Sequence, residues 1–164
     1  MREVKRYSFE KMLVEKGFIA YTNVGSSMLP LLRESKDIIE IHAKGPGRCK
    51  KYDVVLYKRG SMYILHRILN VLPNGYLIAG DNNAFIERDV TDDMILGVMT
   101  RVIRNGKSIK TNNFWYRCYV HLWCDCYPFR FFILWVLRRV HLLWHSIKVN
   151  KNKGKREKNG VKEA

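Results

Sequence analysis

The residue types able to carry nucleophilic chemistry are a serine pair in a turn and a histidine in an apolar segment. Ser26 and Ser27 follow Gly25 in the stretch Gly-Ser-Ser-Met-Leu-Pro. Taken alone such a pair marks a turn, because a serine hydroxyl becomes a nucleophile only beside a base that takes its proton. Of the five histidines, only His66 stands inside a core-like β segment. Position alone favours a structural role for His66, so further signals are needed before the pair becomes a candidate site.

The elements that would position these residues are mostly short strands. Residues 8–17 predict a short amphipathic helix, which a serine can cap and a glycine can end. Segments rich in β-branched and aromatic residues follow, each bounded by Gly, Pro, Asn or charge. They predict strands at 18–24, 37–41, 53–57, 63–69, 75–79 and 96–103, the last followed by an Asn-Gly turn. Many short strands without long helices between them indicate a mainly β, antiparallel fold.

The charge of the chain is concentrated in its second part. The net charge is +15 over 164 residues. Residues 1–100 carry 15 Lys/Arg against 12 Asp/Glu, whereas residues 101–164 carry 15 against 3. Many aromatic residues accompany this basic charge, a combination that suits the headgroup zone of a membrane and also suits stacking on bases. An anionic surface is the predicted partner, and a membrane is favoured over nucleic acid.

Three regions follow from these patterns. Residues 1–110 predict a β-rich domain, 111–147 an aromatic, basic segment at a membrane interface, and 148–164 a disordered Lys-rich tail. Within the second region, 129–147 predicts an amphipathic helix. The chain has no uncharged run of 18 apolar residues and no apolar run near Met1, so neither a spanning helix nor a signal peptide is expected. We therefore predict peripheral membrane association through a C-terminal anchor.

Four boxes stand in order along the chain, at residues 25–30, 51–57, 66–67 and 80–83. Together they resemble boxes of the signal peptidase superfamily and of the related self-cleaving repressor peptidases. The stretch at 25–30 is similar to the family's Ser-Met-x-Pro box, whose serine before Met is the nucleophile, here Ser27. Residues 51–57 resemble the strand that follows. His66, followed by Arg, resembles the base position of the endoplasmic-reticulum and archaeal branch, where bacterial housekeeping enzymes carry Lys. Gly-Asp-Asn-Asn at 80–83 matches a box of the same branch.

The resemblance implies a serine endopeptidase with a compact, antiparallel β-barrel-like core. In the implied mechanism Ser27 attacks the scissile carbonyl, and His66 takes the hydroxyl proton and later gives it to the leaving amine. Asp81 would hold the imidazole in the required tautomer. Glu87 or Asp89 is the alternative third member, because the endoplasmic-reticulum enzymes carry another aspartate at the place of Glu87. The third member of the triad therefore stays open between these acids.

The same resemblance outlines the surroundings of the nucleophile. The backbone N–H of Ser27 would be one oxyanion donor. Many family members carry Ser or Thr where this chain has Gly25, so the oxyanion hole would be built differently, with Ser26 adjacent. Met28 is expected in the substrate groove or the core, and Arg67 either extends into solvent or shapes the site. We predict no cofactor and no metal, and the spacing of the cysteines at 118, 124 and 126 fits no standard zinc pattern.

The predicted function is removal of a signal or leader peptide from an exported or secreted precursor. The predicted partners are a peptide or preprotein substrate and an anionic membrane surface bound through 114–164, with a precursor peptide and its exporter as dedicated clients. No specific nucleic acid is expected. The alternatives are a catalytically inactive β domain tethered to the membrane, a nucleic-acid binder using 101–164, and a self-cleaving repressor-type peptidase. Members of that last branch use a lysine base and carry their own cleavage site before the serine box. This chain has neither a lysine at the base position nor such a cleavage site.

Overall fold

The computed structural model describes residues 8–126, 130, 132–136 and 139–140. The chain divides into two compact units, Met1–Asp125 and Cys126–Ala164. The first unit opens with helix α1 (Phe9–Lys16), as predicted. The side chain of Ser8 accepts a hydrogen bond from the Lys11 N–H at 3.3 Å, and Gly17 ends the helix in a left-handed conformation, so both ends are capped as the residue types require.

A single antiparallel sheet follows α1. The strands are β1 (Phe18–Thr22), β2 (Ile38–Ala43), β3 (Val54–Arg59), β4 (Met62–Leu72), β5 (Gly75–Ala79), β6 (Glu87–Val90), β7 (Ile95–Arg104) and β8 (Lys107–Lys110). Their order in the sheet is β1-β2-β7-β3-β4-β5-β6, and β8 pairs with β7. All six predicted strands are present. The two strands that were not predicted, β6 and β8, are short and largely polar, so neither carries an apolar alternation.

The sheet does not close into a barrel, and this corrects the barrel-like prediction. In the part of the chain that the structure describes, β1 pairs only with β2 and β6 only with β5. Closure would require the first and last strands of the order to hydrogen-bond to each other. With only four residues, β6 is already engaged with β5 across an irregular register. The coarser prediction, a mainly β and antiparallel fold, is confirmed.

The central strand β3 separates two apolar cores. Its residues 54–57 are all buried, with successive side chains on opposite faces of the sheet. Val54 and Leu56 belong to the first core, and Val55 and Tyr57 belong to the second. A strand buried on both faces is held in one register, since a slip by one residue would exchange its two faces.

The neighbouring strand β4 sends two consecutive polar side chains to opposite faces. Leu65 belongs to the first core and Ile68 to the second. The alternation of a strand then places Arg67 on the side of the first core and His66 on the side of the second. Arg67 is completely buried, so the expectation that it extends into solvent is wrong. The physical reason is that its strand is covered on that face.

The helix α2 (Phe114–Asp125) ends the first unit and was not predicted as a separate element. It buries Tyr116, Val120 and Trp123 and exposes Phe114 and Trp115. Of the helix predicted at 129–147, residues 130, 132–136 and 139–140 are helical, and the rest lies outside the described residues, as does the tail at 148–164. Over the described ranges, no helix combines the length and the apolar character that crossing a membrane requires.

Candidate active site

Ser27 lies in the loop between β1 and β2, and main-chain bonds secure this loop at its base. The Asn23 N–H donates to the Asp37 carbonyl oxygen at 3.1 Å. The Asn23 side-chain amide donates to the Gly25 carbonyl at 3.2 Å, and the Gly25 N–H donates to Glu34 Oε1 at 3.0 Å. With a φ of 94°, Gly25 adopts a conformation that residues with a side chain rarely adopt. These contacts give the turn before Ser27 a defined shape.

A buried carboxylate holds the far end of the same loop. Asp37 is fully buried and accepts hydrogen bonds from Arg33 at 2.8 Å and from Arg104 at 2.6 Å. Burial by itself would raise the pKa of Asp37, but the two guanidinium groups outweigh it and lower the pKa to about 2. Asp37 is therefore ionised at neutral pH and ties the loop to β7.

The two residues beside Ser27 are placed differently from each other. Met28 is 1% exposed and packs in the first core, which is one of the two places expected for it. Ser26 is exposed, and its carbonyl oxygen accepts hydrogen bonds from the Leu29 N–H and from the Asn82 side-chain amide, both at 3.1 Å. Ser26 thus contributes to the loop through its main chain, while the Met28 side chain anchors the loop from below.

Ser27 is half-buried and lines a groove of about 290 Å³. Part of the wall is the β4 stretch directly before His66, residues 63–65. Another part is aromatic: the Phe9 ring stacks on Tyr21 with 4.8 Å between centroids and meets the edge of Tyr63 at 5.1 Å. The helix α1 therefore supplies one end of the groove.

The Gly-Asp-Asn-Asn loop brings Ser27 and His66 together. The Asn82 N–H donates to the Ser27 carbonyl oxygen at 2.8 Å. A Cβ atom added to Gly80 would lie 2.5 Å from that same Ser27 oxygen and 3.1 Å from His66 Nε2. Because both atoms lie close to one point, they are at most about 6 Å apart. Only glycine fits here, since a side chain would push the serine loop and the histidine apart.

The other ring nitrogen of His66 faces a carboxylate. His66 Nδ1 lies 3.0 Å from Glu87 Oε1, and both side chains are buried. Glu87 Oε2 accepts hydrogen bonds from the Tyr57 hydroxyl at 2.8 Å and from Arg59 at 2.7 Å. An ionised carboxylate can only accept, so Nδ1 carries the proton and Nε2 presents its lone pair. That lone pair is on the side of Gly80 and Ser27.

Burial sets the protonation state of this histidine. Desolvation is the largest influence on the pKa of His66 and lowers it, while Glu87 acts in the opposite direction without cancelling the effect. The net result is a pKa below the usual value for histidine, so the imidazole is neutral at pH 7 and can accept a proton. A neutral imidazole with its lone pair facing a serine loop has the form that a general base requires.

Asp81 is not the carboxylate that binds His66. Its two oxygens accept hydrogen bonds from Arg67 Nε and Nη2, each at 2.8 Å, and Tyr119 adds a third at 3.0 Å. Asp81 is thus a buried partner of Arg67, on the opposite face of β4 from His66. Asp89 is exposed. Of the three acids left open by the sequence, the one in contact with the imidazole is Glu87.

Four further side chains join these groups and were not predicted. Tyr57 and Arg59 hold Glu87, and Tyr119 and Trp123 contact Asp81. Tyr57 is the last residue of the predicted strand and Arg59 lies beyond it, so period-two alternation puts both on one face only because β3 continues to Arg59. Tyr119 and Trp123 are four apart, which is a helical spacing, but the signal has meaning only once a helix is recognised at 114–125.

The cysteine-rich end of the first unit holds no recognisable metal cluster in the described part of the chain. Cys118 is exposed and Cys124 is half-buried. Their polar neighbours are engaged with each other, since His121 Nδ1 lies 2.9 Å from Asp125, which also accepts a hydrogen bond from Tyr52 at 2.6 Å. This corner is therefore a network of side chains at the end of α2.

No protein-family model matches the chain, and no curated protein matches it in sequence. The likeness to signal peptidases consequently rests on the four boxes alone. Two of those boxes, which hold Ser27 and Gly80, contact each other directly, and a third supplies His66. Their convergence is the main structural fact that bears on function.

Proposed function

We propose that this chain is a serine endopeptidase in which Ser27 is the nucleophile, His66 the general base and Glu87 the group that orients His66. One observation carries the proposal. The loop containing Gly80 lies against both the Ser27 main chain and His66 Nε2, while Glu87 occupies the opposite ring nitrogen. A histidine with a purely structural role could make the same contacts. Catalysis is favoured because the imidazole is neutral and because its unprotonated nitrogen lies next to the serine loop.

In the proposed reaction, Ser27 Oγ attacks the scissile carbonyl carbon as His66 Nε2 removes its proton. The imidazolium that forms is stabilised by the buried Glu87, and the backbone N–H of Ser27 is one donor to the oxyanion. His66 then protonates the leaving amine, and the C–N bond breaks to leave an acyl-enzyme. Water, deprotonated by the same imidazole, hydrolyses the ester and restores Ser27. A positioned general base of this kind is typically worth about 10² to 10⁴ in rate.

The groove favours a peptide in extended conformation. Strand β4 pairs with β5 only from Arg67 onward, so within the described residues its 62–66 stretch, which ends at His66, has one edge that pairs with no other strand. Main-chain N–H and C=O groups on such an edge can bind another extended chain. The aromatic rings of Phe9, Tyr21 and Tyr63 line one part of the groove, and we expect the groove to accept small side chains next to the cut. These features support a signal or leader peptide as substrate class.

Membrane association belongs to the same proposal. The first turn of α2 exposes Phe114 at 68% and Trp115 at 77%, next to the exposed Arg117. Exposed aromatic rings beside basic charge suit the interface of an anionic bilayer. Salt-sensitive binding to vesicles containing phosphatidylserine, reduced in Trp115→Ser, is the expected outcome. Binding to nucleic acid but not to these vesicles would contradict it.

The first experiment is cleavage of a peptide library with small residues around the cut site by the full chain in detergent. Ser27→Ala and His66→Ala are each expected to abolish cleavage. Matched controls are Ser61→Ala, an exposed serine in the β3–β4 turn, and His42→Ala, an exposed histidine of β2. Cleavage that survives Ser27→Ala would refute the proposal. A folded wild-type protein that cleaves nothing would favour the inactive tethering domain.

A further inference from the structure

The helix α2 reaches the loop between Ser27 and His66 through two aromatic side chains. The buried indole of Trp123 donates from Nε1 to the Asp81 carbonyl oxygen at 3.0 Å. The Tyr119 hydroxyl donates to Asp81 Oδ2, also at 3.0 Å. The two rings stack on each other, with 5.7 Å between centroids and 20° between planes. Asp81 is therefore bound at its main chain and at its carboxylate by residues one helical turn apart.

The main-chain contact acts on one planar group. The Asp81 carbonyl oxygen and the Asn82 N–H belong to the same peptide bond and point in opposite directions across its plane. Trp123 binds the oxygen of this group, and the Ser27 carbonyl accepts a hydrogen bond from its N–H at 2.8 Å. Rotation of the plane would weaken both contacts together. The indole of Trp123 thus restrains the donor that holds the main chain of Ser27.

We propose that Tyr119 and Trp123 are positioning residues for the Ser27–His66 pair, acting through the Asp81–Asn82 peptide. The inference rests on the proposed peptidase function and adds to it a helix that lies outside all four sequence boxes. On the other side of this peptide, Gly80 packs against His66 Nε2. A shift of the loop therefore changes the approach of serine and histidine at once.

Arg67 does not make this restraint redundant. Its two hydrogen bonds to Asp81 go to the carboxylate, and its others go to the Tyr52 carbonyl and the Tyr116 hydroxyl. Arg67 therefore neutralises the charge of Asp81, whereas Trp123 sets the orientation of the peptide that follows it. Loss of the indole N–H should leave the ion pair in place and loosen the loop.

The test uses the full chain in detergent with Trp123→Phe and Tyr119→Phe, which keep the rings and remove one donor each. Tyr52→Phe is the matched control, because it removes a hydrogen bond between the turn before β3 and Asp125 of α2 without touching the loop. Two readouts are taken. The first is kcat and KM for a library peptide, and the second is amide hydrogen exchange at Asn82, with the Val55 amide in the centre of the sheet as reference.

We expect Trp123→Phe to lower kcat about fivefold, the usual effect of one neutral hydrogen bond, and Tyr119→Phe to lower it about tenfold because its acceptor is charged. KM should stay within about twofold, since no group that contacts the peptide is removed. Exchange at Asn82 should accelerate by similar factors while exchange at Val55 is unchanged. Tyr52→Phe should leave kcat and the Asn82 exchange at wild-type values.

Three results decide the matter. Unchanged Asn82 exchange in Trp123→Phe and Tyr119→Phe overturns the positioning role. Equal acceleration at Asn82 and Val55 also overturns it, because it reports a general loss of stability. Faster exchange confined to Asn82, in a protein whose wild type shows no Ser27-dependent cleavage, supports the positioning of the loop and refutes the peptidase function instead.

Discussion

Replacement of Glu87 by Gln tests the assignment of the third catalytic group most directly. The carboxylate serves donors on both oxygens: His66 Nδ1 on one, and Tyr57 and Arg59 on the other. A glutamine has a single side-chain oxygen. Tyr57 and Arg59 both donate on one side of residue 87, whereas only His66 donates on the other side. The amide oxygen should therefore face Tyr57 and Arg59, and the NH₂ group should face His66. The imidazole must then accept at Nδ1 and carry its proton on Nε2.

This tautomer is the wrong one for a general base, because Nε2 can no longer accept the proton of Ser27. Loss of the orienting carboxylate in a serine triad typically costs about 10⁴ in kcat. We expect a loss of about 10³ to 10⁴ for Glu87→Gln, with KM nearly unchanged. The tautomer itself is measured by ¹⁵N chemical shifts of the imidazole of His66, which distinguish a protonated Nδ1 from a protonated Nε2.

The pH dependence supplies a second readout for the same variant. Burial is the largest influence on the pKa of His66 and lowers it, whereas the charge of Glu87 raises it. Removal of that charge should move the pKa further down. The acidic limb of the kcat/KM profile should therefore lie at lower pH in Glu87→Gln than in the wild type.

The matched comparison is Asp81→Asn, which alters the acid that the sequence boxes pointed to. Asp81 contacts Arg67 and not the imidazole, so this variant should keep the wild-type tautomer of His66 even if the loop loosens. The reasoning is refuted if Glu87→Gln retains activity within about threefold of wild type, far from the loss expected for a triad carboxylate. It is equally refuted if Asp81→Asn, and not Glu87→Gln, moves the imidazole proton.

Three further predictions concern the supports of the site. Gly80→Ala places a Cβ 2.5 Å from the Ser27 carbonyl, so it should destabilise the fold by about 1–3 kcal/mol and abolish cleavage, as thermal unfolding and the peptide assay would show. Asp37 has a pKa lowered from 3.8 to about 2, so its contribution of about 2 kcal/mol is present above pH 4 and lost as the pH falls towards 2. Asp37→Asn should remove that part of the pH dependence of Tm, and an unchanged profile would contradict the role of its ion pairs. Tyr57→Phe removes a donor to the charged Glu87 and should lower kcat about tenfold, whereas an effect on KM alone would place Tyr57 in binding.

Much of the fold follows from local patterns in the sequence. The helix α1 is bounded by Ser8 and Gly17, whose roles at helix ends depend only on their own chemistry. The strands β3 and β4 are rich in β-branched and other apolar residues, and Asn105 begins the turn between β7 and β8. By contrast, β6 is read as Glu-Arg-Asp-Val and has no apolar alternation, so only its pairing with β5 makes it a strand.

The candidate site, like the fold, could be predicted only in part from the sequence. The types and order of the boxes were enough to propose Ser27 as nucleophile and His66 as base, through the resemblance that these boxes carry. The choice between Glu87 and Asp81 needed the tertiary structure. Consecutive residues of β4 face opposite sides of the sheet, and the loop after β5 brings Asp81 to the side of Arg67 while β6 brings Glu87 to the side of His66.

The contribution of α2 shows the same limit at longer range. The aromatic residues of 114–125 are visible in the sequence, where they predict only an interfacial segment. Their contact with Asp81 depends on where the sheet places this helix, since Tyr119 and Trp123 are 38 and 42 residues away along the chain. Sequence patterns indicate the secondary structure that each segment can adopt and the side chains that are able to react. Which of them meet is decided by strand order and by the face on which each residue lies.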